Sequence, residues 1–180
     1  MRALGRLFDV GTGWAPVDID TANAATGKRV SLQNARGITF LVYTGVGGAE
    51  DLVLDVQQAT ASTGGTSNDM DSANGATGIT KWHIKAETAL DNDESWVVVT
   101  QAEASEVTVV GATYGAMQKI IAIYVGAAQL ADGFTHVSLN AAITTGTSQL
   151  TACLYVLHDL NVQRSAENLG NLLLPGAANV

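Results

Sequence analysis

Charge is what this 180-residue sequence has least of: Asp, Glu, Lys and Arg make up 14% of it, against about 25% in an ordinary soluble domain. A surface so poor in charge is weakly hydrated, which predicts that part of it is covered by protein in the working state. Cysteine occurs once, at Cys153, so no disulfide can close within the chain and no cysteine-based metal cluster can form. Cys153 also sits in the apolar run Thr151 to Leu157, where a lone thiol acts as a small hydrophobe. Proline occurs twice. No stretch approaches the roughly 18 consecutive apolar residues of a membrane helix. The opening MRALGRLFDVG has no apolar core of the secretory kind, so synthesis in a reducing cytoplasm is the expectation.

The net charge of −8 argues against nucleic acid as the main partner, because phosphate binding needs clustered Lys and Arg. The charge is unevenly placed. Within the first 36 residues five bases (Arg2, Arg6, Lys28, Arg29, Arg36) face three acids (Asp9, Asp18, Asp20), net +2; the remainder has four bases and fourteen acids, net −10. A basic arm on an acidic body suits docking on an acidic neighbour, and ordinary solvated charges are the plainer account.

What is abundant is period-two alternation between turns rich in Gly, Ser, Thr, Asn and Asp. Gly37 to Ala61 reads as strand, glycine turn, strand: Ile38, Phe40 and Val42 share one side, Leu52, Leu54 and Val56 repeat the pattern, and a hairpin is expected. Ile79 to Ala86 alternates, with Ile79, Lys81, His83 and Lys85 opposed to Thr80, Trp82, Ile84 and Ala86, and pairs across LDNDE with Ser95 to Gln101. Lys119 to Gly126 is apolar on both sides and should be central. Glu106 to Val110, Phe134 to Ala142 and Leu150 to Val162 add strands, while Trp14 to Ile19 and Lys28 to Leu32 are short candidates. Met1 to Gly13 carries Leu4, Leu7 and Phe8 at helical spacing, a short amphipathic turn or an ordered arm. Ser62 to Gly78 is the longest loop and a candidate contact surface. About nine to ten strands with little helical periodicity predict an all-β fold: an antiparallel β-sandwich, jelly-roll-like or Greek key, with short terminal arms. The expected division is 1–30 as N-terminal arm and edge segment, 31–164 as the sandwich and 165–180 as a C-terminal arm. That last arm, SAENLGNLLLPGAANV, either packs on its own sandwich or reaches a neighbouring subunit.

Residues able to do chemistry are sparse. His83, His136 and His158 fall on three separate strands without metal-ligand spacing. Asp69 and Asp71, and the run Asp91, Asn92, Asp93 and Glu94, are oxygen-rich, but turn chemistry accounts for them and no calcium-loop spacing is present. Gly45, Gly47 and Gly48 do not form a phosphate-binding fingerprint. No cofactor, metal or enzymatic activity is expected. Trp14, Trp82 and Trp96 could serve a carbohydrate platform, yet Trp82 and Trp96 fall on the more apolar sides of their strands, which favours core packing.

The blocks VQQATASTGGTS (Val56 to Ser67), ITKWHIKAE (Ile79 to Glu87), LDNDESWVVVTQAEASEVT (Leu90 to Thr108), AAQLADGFTHVSLNAA (Ala127 to Ala142) and LYVLHDLNVQRSAENL (Leu154 to Leu169) together resemble small virion structural proteins of tailed bacteriophages, of the minor capsid or decoration type. The resemblance spans Leu52 to Leu169. It implies a non-enzymatic capsid decoration, cement or minor capsid component located in the virion. Its partners would be other copies of itself and the major capsid protein, with no direct contact to nucleic acid or membrane. Contact residues are then expected at the ends: Arg2, Arg6, Leu7 and Phe8, and Leu169, Leu172, Leu173 and Leu174. A carbohydrate-binding or tail-fibre adhesion module is the alternative.

Overall fold

The computed structural model describes residues 4–19, 24–91, 93–143 and 148–161. Twelve strands occur among them: β1 (Phe8–Asp18), β2 (Ala24–Ala25), β3 (Val30–Ser31), β4 (Ala35–Thr44), β5 (Leu52–Ala59), β6 (Ser67–Asp69), β7 (Ile79–Glu87), β8 (Val97–Ala104), β9 (Glu106–Val109), β10 (Gln118–Gly126), β11 (His136–Ile143) and β12 (Leu150–Leu160). A single helical turn, α1 (Gly111–Tyr114), precedes β10.

The strands form two antiparallel sheets. One runs β1-β12-β4-β10-β7-β8; in the other, β11 and β5 are central, β2 and β3 pair with β11, and β6 and β9 pair with β5. The chain is therefore an all-β sandwich, as the alternation predicts. Ile38, Phe40 and Val42 of β4 face Leu52, Leu54 and Val56 of β5 across the core, and all six are essentially sealed from water. Each large side chain so buried contributes on the order of 2 kcal/mol.

The expected β4–β5 hairpin does not form. The two strands lie in different sheets, β4 between β12 and β10, β5 between β11 and the β6/β9 pair. The glycine turn leads away instead: Gly45 N–H donates to the Leu150 carbonyl and Gly47 N–H to the Gly115 carbonyl. Alternation alone cannot separate two strands sharing one sheet from two strands meeting face to face, because both bury the same positions.

Two other expectations change. The candidate strand at Trp14 begins earlier, at Phe8, so that Phe8 to Gly13 is strand and not a helical turn; its backbone fills the open edge of β12, with Phe8 opposite His158 and Trp14 opposite Cys153. Gly5, at φ 79°, turns the chain into it. In β7 a register shift between Ile79 and Lys81 buries Ile79 and exposes Thr80, reversing the sides expected there; Trp82 and Ile84 are buried as expected. The β7–β8 hairpin forms, and β10 is central.

The long loop is partly ordered by its own chemistry. Ser67–Asp69 pairs with β5, Met70 is fully buried, and Asp71 caps the 3-10 turn Ser72–Asn74. Lys119, in the sequence only one end of an apolar strand, is buried among the inner positions of β10. It ties the neighbouring turns together, donating to the carbonyls of Met117 at 2.8 Å, Tyr114 at 2.9 Å and Gly45 at 3.4 Å. Burial pulls its pKa down to about 8.

Candidate interaction surface

The outward side chains of the six-stranded sheet follow from its register. Thr12, Leu154, Leu41, Ala122, His83 and Val98 form one row across all six strands. Val10, Val156, Thr39 and Tyr124 form the row to one side, and Ala152, Tyr43, Ile120 and Lys85 the row to the other. Trp96, just ahead of β8, lies with its ring 5.6 Å from the Lys85 ammonium. Large apolar residues dominate. Val10, Tyr43, Trp96, Val98, Tyr124, Leu150 and Leu154 leave 45–62% of their surface open, with Leu41, Ile120 and Val156 half-buried between them. Of the cations on these strands, Lys81 and Lys85 stand at outward positions of β7, while Lys119 of β10 is buried inside and Arg36 sits exposed at the start of β4.

The opposite outer face is of different character. There β5 presents Val53, Asp55 and Gln57, β9 presents Glu106 and Thr108, and β11 presents His136, Asn140 and Ala142. Gln57 Nε2 donates to Asp55 Oδ2 at 2.6 Å and also to Asp69. Burial, joined by the charges of Asp69 and Glu106, pushes the Asp55 carboxyl above the usual range. Burial, with Arg29 beside it, lowers the pKa of His136. The sandwich is thus polar on one outer face and apolar on the other.

The edges differ too. β1 is interrupted by register shifts between Thr12 and Trp14 and between Trp14 and Val17, which blunt it for pairing. β8 opens with Val97 and Val98, both exposed, and its register shift comes only after Thr100.

Of the contact residues expected from the sequence, Arg6 and Leu7 are exposed and Phe8 is half-buried at the start of β1. Arg2, Leu169, Leu172, Leu173 and Leu174 lie outside the described residues. Arg6 and Leu7 do meet the end of β12: with Arg36, Asp159, Leu160 and Asn161 they line an open hollow of about 620 Å³. Trp96 corrects an expectation, being exposed where the alternation favours core packing, while Trp14 and Trp82 are buried. The signal for the outer face is the apolar second side of β10, which in the sequence marks only a central strand.

The chemistry-bearing side chains stand apart. His83 and His158 belong to the six-stranded sheet and His136 to the other; His158 stacks on Tyr124 and contacts Asp159. Burial drives the Cys153 thiol up to about 12, which keeps it protonated and unreactive. Glu87, Asp91, Asp93 and Glu94 do come together at the β7–β8 turn, their carboxylate oxygens within 4.8 Å of one another. Asp93 chiefly, and the other acids, raise the Glu87 pKa. No helix among the described residues is long and apolar enough to cross a membrane. Comparison with family models, with curated proteins and with solved structures returned no match.

Proposed function

We propose that this chain is a structural component of a bacteriophage virion, a capsid decoration, cement or minor capsid protein that works through protein–protein contacts and not through catalysis. The observation that carries the reading is the contrast between the two outer faces. The largest apolar patch on a monomeric protein, typically about 300–600 Å², is itself often an interaction site, and here large apolar side chains dominate the outward rows of a six-stranded sheet. The sequence resemblance to phage virion proteins supplies the setting, and the low charge density agrees with it. The partners in this reading are the major capsid protein and further copies of the chain, and its location is the assembled particle.

The test is proteomic and genetic. Purified particles of the phage that carries this sequence should contain the chain in many copies per particle, and Leu154→Lys should reduce its incorporation while leaving the chain folded. Particles without the chain, or full incorporation of the Leu154→Lys variant, would refute the reading.

A second reading, a glycan-binding adhesion module, draws on three exposed aromatics of the same face, Tyr43, Tyr124 and Trp96. Trp14 and Trp82 cannot contribute because they are buried. Saturable binding on a glycan array, abolished by Trp96→Ala, would favour this module over the virion component.

A further inference from the structure

We infer that a second copy of this chain docks on the apolar outer face, six-stranded sheet against six-stranded sheet, about a two-fold axis parallel to the strands. The inference rests on the virion reading and names a partner for the same surface.

Six strands about 4.8 Å apart span about 24 Å, and Leu150 to His158 rises about 26 Å, so the face projects to roughly 600 Å² before side-chain relief is added. Stable interfaces bury about 800 Å² from each partner. Residues 162–180, the other apolar candidate, would as one extended segment cover a strip only about 5 Å wide. A folded face of matching breadth covers what such a segment leaves open.

Lys81 and Lys85 occupy β7, towards one side of the sheet; β12, at the mirrored position in the strand order, presents the neutral Ala152, Leu154 and Val156. A two-fold axis along the strands lays β7 of each copy over β12 of the other and β4 over β10. The stems of Lys81 and Lys85 then cover Val156 and Ala152 while their ammonium groups reach water, and like charges stay apart. An axis across the strands would set β7 on β7, cation on cation. The carboxylates of the β7–β8 turn fall at the rim, where salt screens them. A face that complements its own rotated image is what a symmetric dimer requires.

The test is the absolute mass of the full chain by light scattering over a range of concentrations, with Leu154→Lys and Val98→Lys on the face and Thr108→Lys on the opposite outer face as control. The expected result is a dimer whose half-dissociation concentration rises at least about tenfold in each face variant and stays unchanged in the control. A monomer throughout, or an oligomer indifferent to both face variants, overturns the proposal. So does a monomer that dimerises only when residues 162–180 are removed, since the tail would then own the face. Particle proteomics separates the two readings: a monomer still found in particles overturns the dimer alone, whereas a face-dependent dimer absent from particles overturns the virion assignment alone.

Discussion

Tyr124 of β10 and His158 of β12 stack across the strand that separates them, ring centroids 5.3 Å apart and planes inclined by 22°. The strand between is β4, and the residue beneath the stack is Gly37. A Cβ there would come within 2.7 Å of His158 Cε1 and 2.8 Å of Tyr124 Cε2. The missing side chain lets the two rings close over the backbone. Gly37→Ala should force them apart and cost about 1–3 kcal/mol of stability, as overpacking does. Chemical denaturation gives the magnitude, and loss of the ring-current shift on the His158 imidazole protons gives the cause.

Lys119→Met should destabilise the fold by about 2 kcal/mol, because the carbonyls of Tyr114, Met117 and Gly45 lose their shared donor in a buried site. The same residue sets an alkaline signature. Its folded pKa of about 8 lies below the ordinary 10.5, so the unfolded chain binds the proton more tightly and stability rises with pH between those values. Urea midpoints measured from pH 8 to pH 10.5 should climb for the native chain relative to Lys119→Met.

At acid pH Asp55 acts with the opposite sign. Its folded pKa is raised, chiefly by burial, so the protonated form favours folding and its contribution fades as pH rises from the ordinary carboxylate value through the folded one. Asp55→Asn removes the buried charge and keeps an acceptor for Gln57. Its urea midpoint should exceed that of the native chain at pH 7, with the gain shrinking towards pH 3.

Trp96 stands at the surface beside Lys85 while Trp14 and Trp82 are buried. Acrylamide should therefore quench one tryptophan component readily and the rest weakly. Trp96→Phe should abolish the accessible component and leave stability within about 0.5 kcal/mol of the native chain. Quenching that persists in the variant would mean that Trp14 or Trp82 is open.

Much of the fold is legible in the sequence because burial follows a period of two. Ile38, Phe40 and Val42, Leu52, Leu54 and Val56, and Trp82 and Ile84 are all inside, where their alternation places them. Partner choice is not legible. Strands 35–44 and 52–59 are close in sequence and joined by glycines, yet they lie in different sheets, the first between β10 and β12 and the second between β11 and the β6/β9 pair. Leu4, Leu7 and Phe8 have helical spacing, but so short a pattern does not outweigh a vacant sheet edge next to β12. The contact surface is half visible. In the sequence Lys119 to Gly126 is apolar on both sides, but only the sheet order reveals that Ile120, Ala122 and Tyr124, with Tyr43, lie on an outer face that nothing among the described residues covers.

Hydroxyl-radical footprinting of the free chain and of assembled particles tests most directly whether the apolar outer face of the six-stranded sheet is where this chain meets its partners. Tyr43, Tyr124 and Trp96 are reactive reporters on that face, all three exposed in the free chain. All three should lose most of their oxidation on assembly. Oxidation of the three at the free-chain level, in particles that contain the protein, would contradict that placement.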